Sequence, residues 1–382
     1  MVNATKRANE IPPFIVMDVL ERAHELEREG RDIIHLEIGE PDFPTPGCIC
    51  DAAREAIGRG ETHYTHSLGL IELREAICEY YYGKYSVTID PDQILVTSGT
   101  SPALFMVFSA LLEIGDEIIM SDPHYPCYPN FAKFLGAKPV NIKVEEEDAF
   151  QLRASEIKKR IGQKTKSILI NSPSNPTGNL LSRERMEEIA GLGPLVVSDE
   201  IYHGLVYGEK EHSILEFTDN AFVLNGFSKL YAMTGWRLGY LIAPPDFTRP
   251  LQKIQQNFLI SAGSISQWAG VAALTKADAD VEEMKAIYDE RRRYMIKRIR
   301  DIGFGLAAEP AGAFYMLANA KHLAESSYDL AFEILEKAGV GVSPGIDFGK
   351  NAEGFLRFSY ANSLENIRKG LDRIEQFLTM RK

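Results

Sequence analysis

One lysine in this chain has neighbours that chemistry would need. Lys229 lies in Asn225-Gly-Phe-Ser-Lys-Leu-Tyr-Ala-Met-Thr-Gly-Trp-Arg237, just after the apolar run Phe222-Val-Leu. That run predicts a buried strand, and Arg237 closes the segment eight residues beyond the lysine. An amine held in a half-buried turn loses its proton more readily than one in water, and the neutral amine attacks carbonyls. A lysine in a loop is more often a solvated charge. The chemical reading therefore depends on what other loops supply.

Several of them are rich. After Ile94-Leu-Val comes Thr97-Ser-Gly-Thr-Ser101, and Pro102 onward reads as a helix. Small hydroxyl residues and a glycine at a helix N-terminus offer free N–H groups and a positive dipole end to an anion, with Ser98, Gly99 and Thr100 in place for it. A plain N-cap gives the same pattern. After Ser167-Ile-Leu-Ile, the run Asn171-Ser-Pro-Ser-Asn-Pro-Thr-Gly178 is fixed in shape by two prolines and a glycine, which would hold the Asn175 amide in place. After Leu195-Val-Val, Asp199 ends an apolar strand, where a carboxylate is costly unless it meets a cation. Tyr202 follows three residues later. The alternative for Asp199 is a helix cap. In Phe355-Leu-Arg-Phe-Ser, alternation places Phe355, Arg357 and Ser359 on one face, and an arginine inside such a strand suits a bidentate carboxylate site or an internal ion pair.

The elements that must position these residues follow an α/β pattern. Short apolar runs at 94, 117, 139, 167, 195, 222 and 238 alternate with helical segments, which predicts a mostly parallel sheet with helices on both faces. Ligand sites of such sheets lie beyond the carboxyl ends of the strands, where these loops are. Apolar spacing predicts helices over 14–30, 47–59 and 280–302, with Gly303 stopping the last, and a strand His35–Gly39. The 280–302 helix is expected to join a large domain to a smaller α+β unit, and the last helix to run over 364–379. With 382 residues, one large and one smaller domain are expected. A net charge of −12 argues against nucleic acid or anionic membrane as main partner. No apolar run spans a membrane and no secretory h-region follows Met1, so a cytoplasmic protein is expected. The four cysteines have no paired CxxC spacing and read as reduced thiols, without a structural metal.

An anion site, an amide, a buried carboxylate, a phenol, a lysine and two arginines form the inventory that pyridoxal phosphate and an amino acid would need. The order Gly39-Glu-Pro-Asp-Phe, Tyr64, Ser98-Gly-Thr, Asn175-Pro-Thr-Gly, Asp199-Glu-Ile-Tyr, Ser228-Lys229, Thr234-Gly-Trp-Arg237-Leu-Gly and Arg357 resembles the class I/II aminotransferases of fold type I. It is similar above all to the bacterial and archaeal aspartate and aromatic aminotransferases. The resemblance covers nearly the whole chain. It implies an N-terminal segment, 1–44, joined to the small domain, a large pyridoxal-phosphate domain over 45–285, and a small C-terminal domain over 286–382.

The resemblance also implies roles. Lys229 binds the cofactor carbonyl carbon and Asp199 the ring nitrogen. Asn175 and Tyr202 bond the phenolic oxygen, and Tyr125 lies on the ring face. Ser98, Gly99, Thr100, Ser228 and Arg237 hold the phosphate, joined by Tyr64 of the partner subunit in a homodimer. Arg357, Asn175 and the Gly39 backbone take the substrate carboxylate. Two departures from the family pattern stand out. Gly226 replaces a serine that contacts phosphate in some members, and Ser101 replaces a lysine found in aspartate-specific relatives. The second favours a neutral or aromatic L-amino acid over aspartate as donor to a 2-oxo acid. Phe14, His66, Ser101, His124 and Phe314 are expected around the donor side chain, some of them, such as His66, from the partner subunit. A carbon–sulfur β-lyase on the same fold is the alternative. A non-catalytic cofactor-binding regulator is disfavoured by the acidic charge and by a pattern already under way at Gly39.

Overall fold

The computed structural model describes residues 3–381. Its centre is a sheet of seven strands: β1 (Ile94–Thr97), β2 (Glu117–Asp122), β3 (Lys138–Lys143), β4 (Thr165–Asn171), β5 (Leu195–Asp199), β6 (Ala221–Gly226) and β7 (Gly239–Ile242). Their spatial order is β1-β7-β6-β5-β4-β2-β3. All neighbours are parallel except that β7 runs against both β1 and β6. Every residue of β1, β5, β6 and β7 is buried, as expected for strands covered on both faces, and this explains their continuous apolar runs.

This topology gathers the chemistry at one edge. The strands β1, β4, β5 and β6 end there, at Thr97, Asn171, Asp199 and Gly226. Because β7 is reversed, the residue pair before it, Arg237-Leu238, arrives at the same edge. The register aligns Asn171 with Asp199, and both Thr97 and Gly226 with Gly239.

A second, antiparallel sheet holds β8 (Tyr315–Asn319), β9 (Ser343–Pro344) and β10 (Phe355–Ser359), with β10 in the middle and Arg357 facing Leu317 in register. Helix α1 (Ile15–Arg28) buries Val16, Val19, Ala23 and Leu26, the i, i+3, i+4 stripe of its sequence, and packs on α2 (Ser327–Ala338). A long helix, Asp278–Ile302, ends at Gly303 in the left-handed region. The expected strand His35–Gly39 is shorter than its pattern suggests. Only Ile34–His35 pairs, with Val340–Gly341. Beyond it the Leu36 N–H still bonds the Gly341 carbonyl and its C=O accepts from Ser359, so the chain runs extended towards Gly39 without a ladder. No helix among the described residues is long and apolar enough to cross a membrane.

Candidate active site

A cavity of about 420 Å³ opens where the seven-stranded sheet meets the smaller one, and Lys229, Asp199, Asn175, Tyr202, Arg237 and Arg357 all line it. Gly39, Thr100, Ser101, Tyr125, Ser228 and Phe14 line it too.

At the sheet edge, the helix Thr100–Leu111 begins with no side-chain cap, so its first N–H groups are free. Gly99, at φ 98°, precedes it, and a Cβ there would sit 2.6 Å from Arg237 Nη2. Only glycine lets the guanidinium approach so close to the helix start. Arg237 adopts a left-handed backbone, with Nη1 donating to the Thr234 carbonyl at 3.0 Å. Backbone donors, helix dipole and guanidinium together make an anion cradle. Ser98 precedes it without lining the cavity. Gly226 is packed against the facing strand, where a Cβ would lie 3.0 Å from Gly239 Cα, while Ser228 reaches the cavity wall.

Asp199 is buried. Tyr128 donates its hydroxyl to Oδ2 at 2.6 Å and the Ile201 N–H donates to Oδ1 at 3.1 Å. Burial pushes its carboxyl up to about 6, and Tyr128, Ile201 and Lys229 pull the other way. Among the described residues it has no ion-pair partner. Asn171 donates its amide to the Asp199 carbonyl at 2.9 Å and accepts from the Asn175 N–H at 2.9 Å, which fixes the loop that carries Asn175. The Tyr202 and Tyr315 hydroxyls share a 3.0 Å hydrogen bond.

Lys229 Nζ donates to the Gly39 carbonyl at 2.7 Å. Burial depresses the amine to about 8; Glu40 opposes this, while Arg357 and Arg237 add to it. Gly39 is tight against Tyr315, whose hydroxyl would lie 2.2 Å from a Cβ. Arg357 is 2% exposed. It donates from Nη1 to Asn175 Oδ1 at 3.0 Å and from Nη2 to Ser343 Oγ at 3.0 Å and to the Glu37 carbonyl. Its guanidinium lies 4.4 Å from the Tyr315 ring centre and 4.9 Å from that of Phe348. Nε has no partner, and no carboxylate pairs with it among the described residues. A buried guanidinium with only neutral partners is a ready site for an anionic ligand.

Three residues expected around the donor side chain do not line the chain's own cavity. His124 is buried, with Nδ1 2.8 Å from the Ser121 carbonyl oxygen. Phe314 packs edge-on behind Tyr202 at 5.7 Å. His66 borders a separate surface groove with Arg74 and Arg249. Tyr64 is 81% exposed and outside the chain's own cavity. Sequence reasoning missed Tyr128, Tyr315 and Asn171. Tyr128 stands three residues after Tyr125, and Tyr315 shares a strand face with Leu317, the residue opposite Arg357, so spacing held a signal for both. Among the described residues one group has metal-ligand spacing, His24, Glu27 and His35, and none of the three lines the cavity. There His35 is already ion-paired with both Glu27 and Glu37.

The family model for aminotransferase class I and II matches residues 31–374. The chain is 44% identical over 378 residues to a (5-formylfuran-3-yl)methyl phosphate transaminase of Methanocaldococcus jannaschii, covering 98% of this chain and 99% of that one. It is 39% identical to an aspartate aminotransferase of Pyrococcus horikoshii, over 95% and 94% of the two chains. The solved structure of Thermus thermophilus aspartate aminotransferase with maleate superposes with a TM-score of 0.94 at 35% identity, over 98% of this chain and all of the other. Members of the family use pyridoxal phosphate. The residues here fit that group, since the uncapped helix start beside Arg237 suits its phosphate and the unpaired buried Asp199 suits a ring cation. The chain therefore belongs to the class I and II aminotransferases, a pyridoxal-phosphate-dependent transaminase of fold type I acting on an amino acid and a 2-oxo acid.

Proposed function

We propose that this transaminase takes its amino group from a neutral or aromatic L-amino acid and passes it to a 2-oxo acid in a ping-pong cycle. One observation carries the reading. Arg357 is buried without an anion, in a cavity whose remaining cations, Lys229 and Arg237, are committed to other tasks. Among the described residues of this chain, one carboxylate is therefore matched and a second is not. The wall beyond is made by Phe14, Val16, Met17, Leu20 and Ile38, and Ser101 adds no charge. Burying a carboxylate there is costly, while an apolar side chain gains roughly 25 cal/mol for each Å² removed from water.

The chain's own groups divide the work. Bound pyridoxal phosphate supplies an electron sink for the electrons released at the substrate Cα. Asp199, anionic above about pH 6, would pair with the ring nitrogen and keep it protonated. Asn175 and Tyr202 would bond the phenolic oxygen, with Tyr315 orienting the Tyr202 hydroxyl. Ser98, Gly99, Thr100, Ser228 and Arg237 would hold the phosphate, and Tyr125 would cover the ring. Arg357, Asn175 and Gly39 fix the substrate carboxylate. Lys229, with its amine depressed to about 8, would take the proton from the substrate Cα and carry it to the carbon on the far side of the amino nitrogen. Tyr64, exposed in one chain, completes the phosphate site of a second copy, which makes a homodimer the active unit. Residues 1–44 and 286–382 form the small domain around β8–β10, and 45–285 the large one.

The name of the Methanocaldococcus relative supports a second reading, in which the acceptor is a flat furan aldehyde carrying a phosphate. The aromatic edge between Phe14 and Tyr125, with ring centres 6.0 Å apart, favours it. A half-reaction screen separates these. The enzyme-bound cofactor absorption is followed with each common amino acid in turn, and the aminated enzyme is then offered 2-oxo acids and an aldehyde phosphate. Conversion by neutral or aromatic donors is expected. Rapid conversion by aspartate and glutamate alone would overturn the donor assignment, and pyruvate and ammonia from cystathionine without any acceptor would point to a β-lyase.

A further inference from the structure

The apolar wall of the cavity belongs to a helix whose first turn cannot hold itself. α1 starts after Phe14, a residue with no side-chain oxygen to cap the free N–H groups. The cap comes from the far end of the chain. Asp347 Oδ1 accepts from the Ile15 N–H and Oδ2 from the Val16 N–H, each at 3.1 Å. The carboxylate also meets the positive end of the helix dipole.

Asp347 sits in the turn Gly345–Phe348, which borders the Arg357 side of the site. Ser343, just before it, bonds Arg357. The Phe348 ring lies 4.9 Å from the Arg357 guanidinium and packs in one cluster with Val16 and Phe14. The Phe348 carbonyl accepts from the His124 N–H at 2.9 Å, next to Tyr125. The Ile346 N–H donates to Ser327 Oγ at 3.2 Å, anchoring the turn to α2. The first turn of α1 is thus hung from the same short segment that backs the carboxylate-binding arginine.

We propose that Asp347 is a specificity-determining positioning residue, which holds the first turn of α1 so that Phe14, Val16 and Met17 form the wall that sorts the donor's side chain. It touches neither substrate nor cofactor and acts through the α1 backbone. With the carboxylate gone, the two N–H groups turn to water, the first turn frays, and Phe14 leaves its place against Tyr125. An apolar donor then loses its wall, while the Arg357 end of the substrate keeps its partners. The inference rests on the donor class proposed above.

The test compares wild type with Asp347→Ala, Asp347→Asn and Phe14→Ala, using phenylalanine and glutamate as donors. Two hydrogen bonds to a charged group are at stake, so Asp347→Ala is expected to raise KM for phenylalanine by about tenfold or more, with kcat within about threefold. KM for glutamate should change less. Asp347→Asn keeps an acceptor oxygen and should recover much of the loss. The double variant with Phe14→Ala should add little to either single change. Amide exchange at Ile15 and Val16 should quicken in Asp347→Ala and less so in Asp347→Asn. Equal KM changes for both donors, or unchanged exchange at those two amides, would overturn the proposal. A wild-type preference for dicarboxylic donors would count against the donor assignment alone, because the variant-to-wild-type ratio between the two donors still reads the role of Asp347.

Discussion

Tyr128→Phe removes one oxygen atom from a fully packed site and should change the acidity of Asp199. Burial already holds that carboxyl at about 6, with the Tyr128 hydroxyl at 2.6 Å opposing the rise. A hydrogen bond to a charged group is worth about 1.5–3 kcal/mol, or roughly one to two pKa units. Without it, Asp199 should titrate at roughly 7–8. The sign follows from the acid. Its folded value is raised, so the anion exists only above that value and is lost as pH falls through it. For wild type the ring-binding anion disappears below about 6, and for the variant it is already depleted at neutral pH. Pyridoxal phosphate should therefore bind the variant apoenzyme up to about tenfold more weakly at pH 7 and nearly normally at about pH 9. The assay is a fluorescence titration of apoenzyme with the cofactor across that range. If the affinity-versus-pH curves of the two proteins share one midpoint, Tyr128 does not set the acidity of Asp199 and the reasoning is wrong.

Arg357→Ala should raise KM for the amino donor by about thirtyfold or more, because breaking a buried charge-assisted pair costs about 2–5 kcal/mol. Arg357→Lys should recover little of this, since Nη1 and Nη2 serve different partners that a single ammonium cannot reach together, and steady-state kinetics with one donor decide it. Lys229, depressed to about 8, should be acylated in the apoenzyme faster than the surface lysines at about pH 7.5, its rate rising through about pH 8 as the amine loses its proton. Mass spectrometric labelling checks this, and a rate equal to that of the exposed lysines would place the amine in water.

How much was legible in the sequence depended on the range of the interaction. Alternating apolar runs and helical spacing are local, so the α/β sheet, the long helix stopped at Gly303 and the loops that follow each strand could be read directly. Asp199 and Arg357 stood out as polar groups at the end of, or inside, an apolar strand, Asn175 because prolines fix its loop, and Lys229 because it closely follows a buried run. Strand order and register are not local. Tyr128 meets Asp199 across 71 residues, Tyr202 meets Tyr315 across 113, and Asp347 caps α1 from more than 330 away. Those pairings exist only once β5 lies beside β4 and the small sheet closes against the large one. The same limit explains His124 and Phe314, which have suitable chemistry for a pocket but face a carbonyl and the back of Tyr202 instead. Which groups must be held out of water could be read from the chain alone, because periodicity is a property of a short segment. Which of them meet emerges from the folded packing, because a 3 Å hydrogen bond depends on how distant segments lie against each other and not on their spacing along the chain.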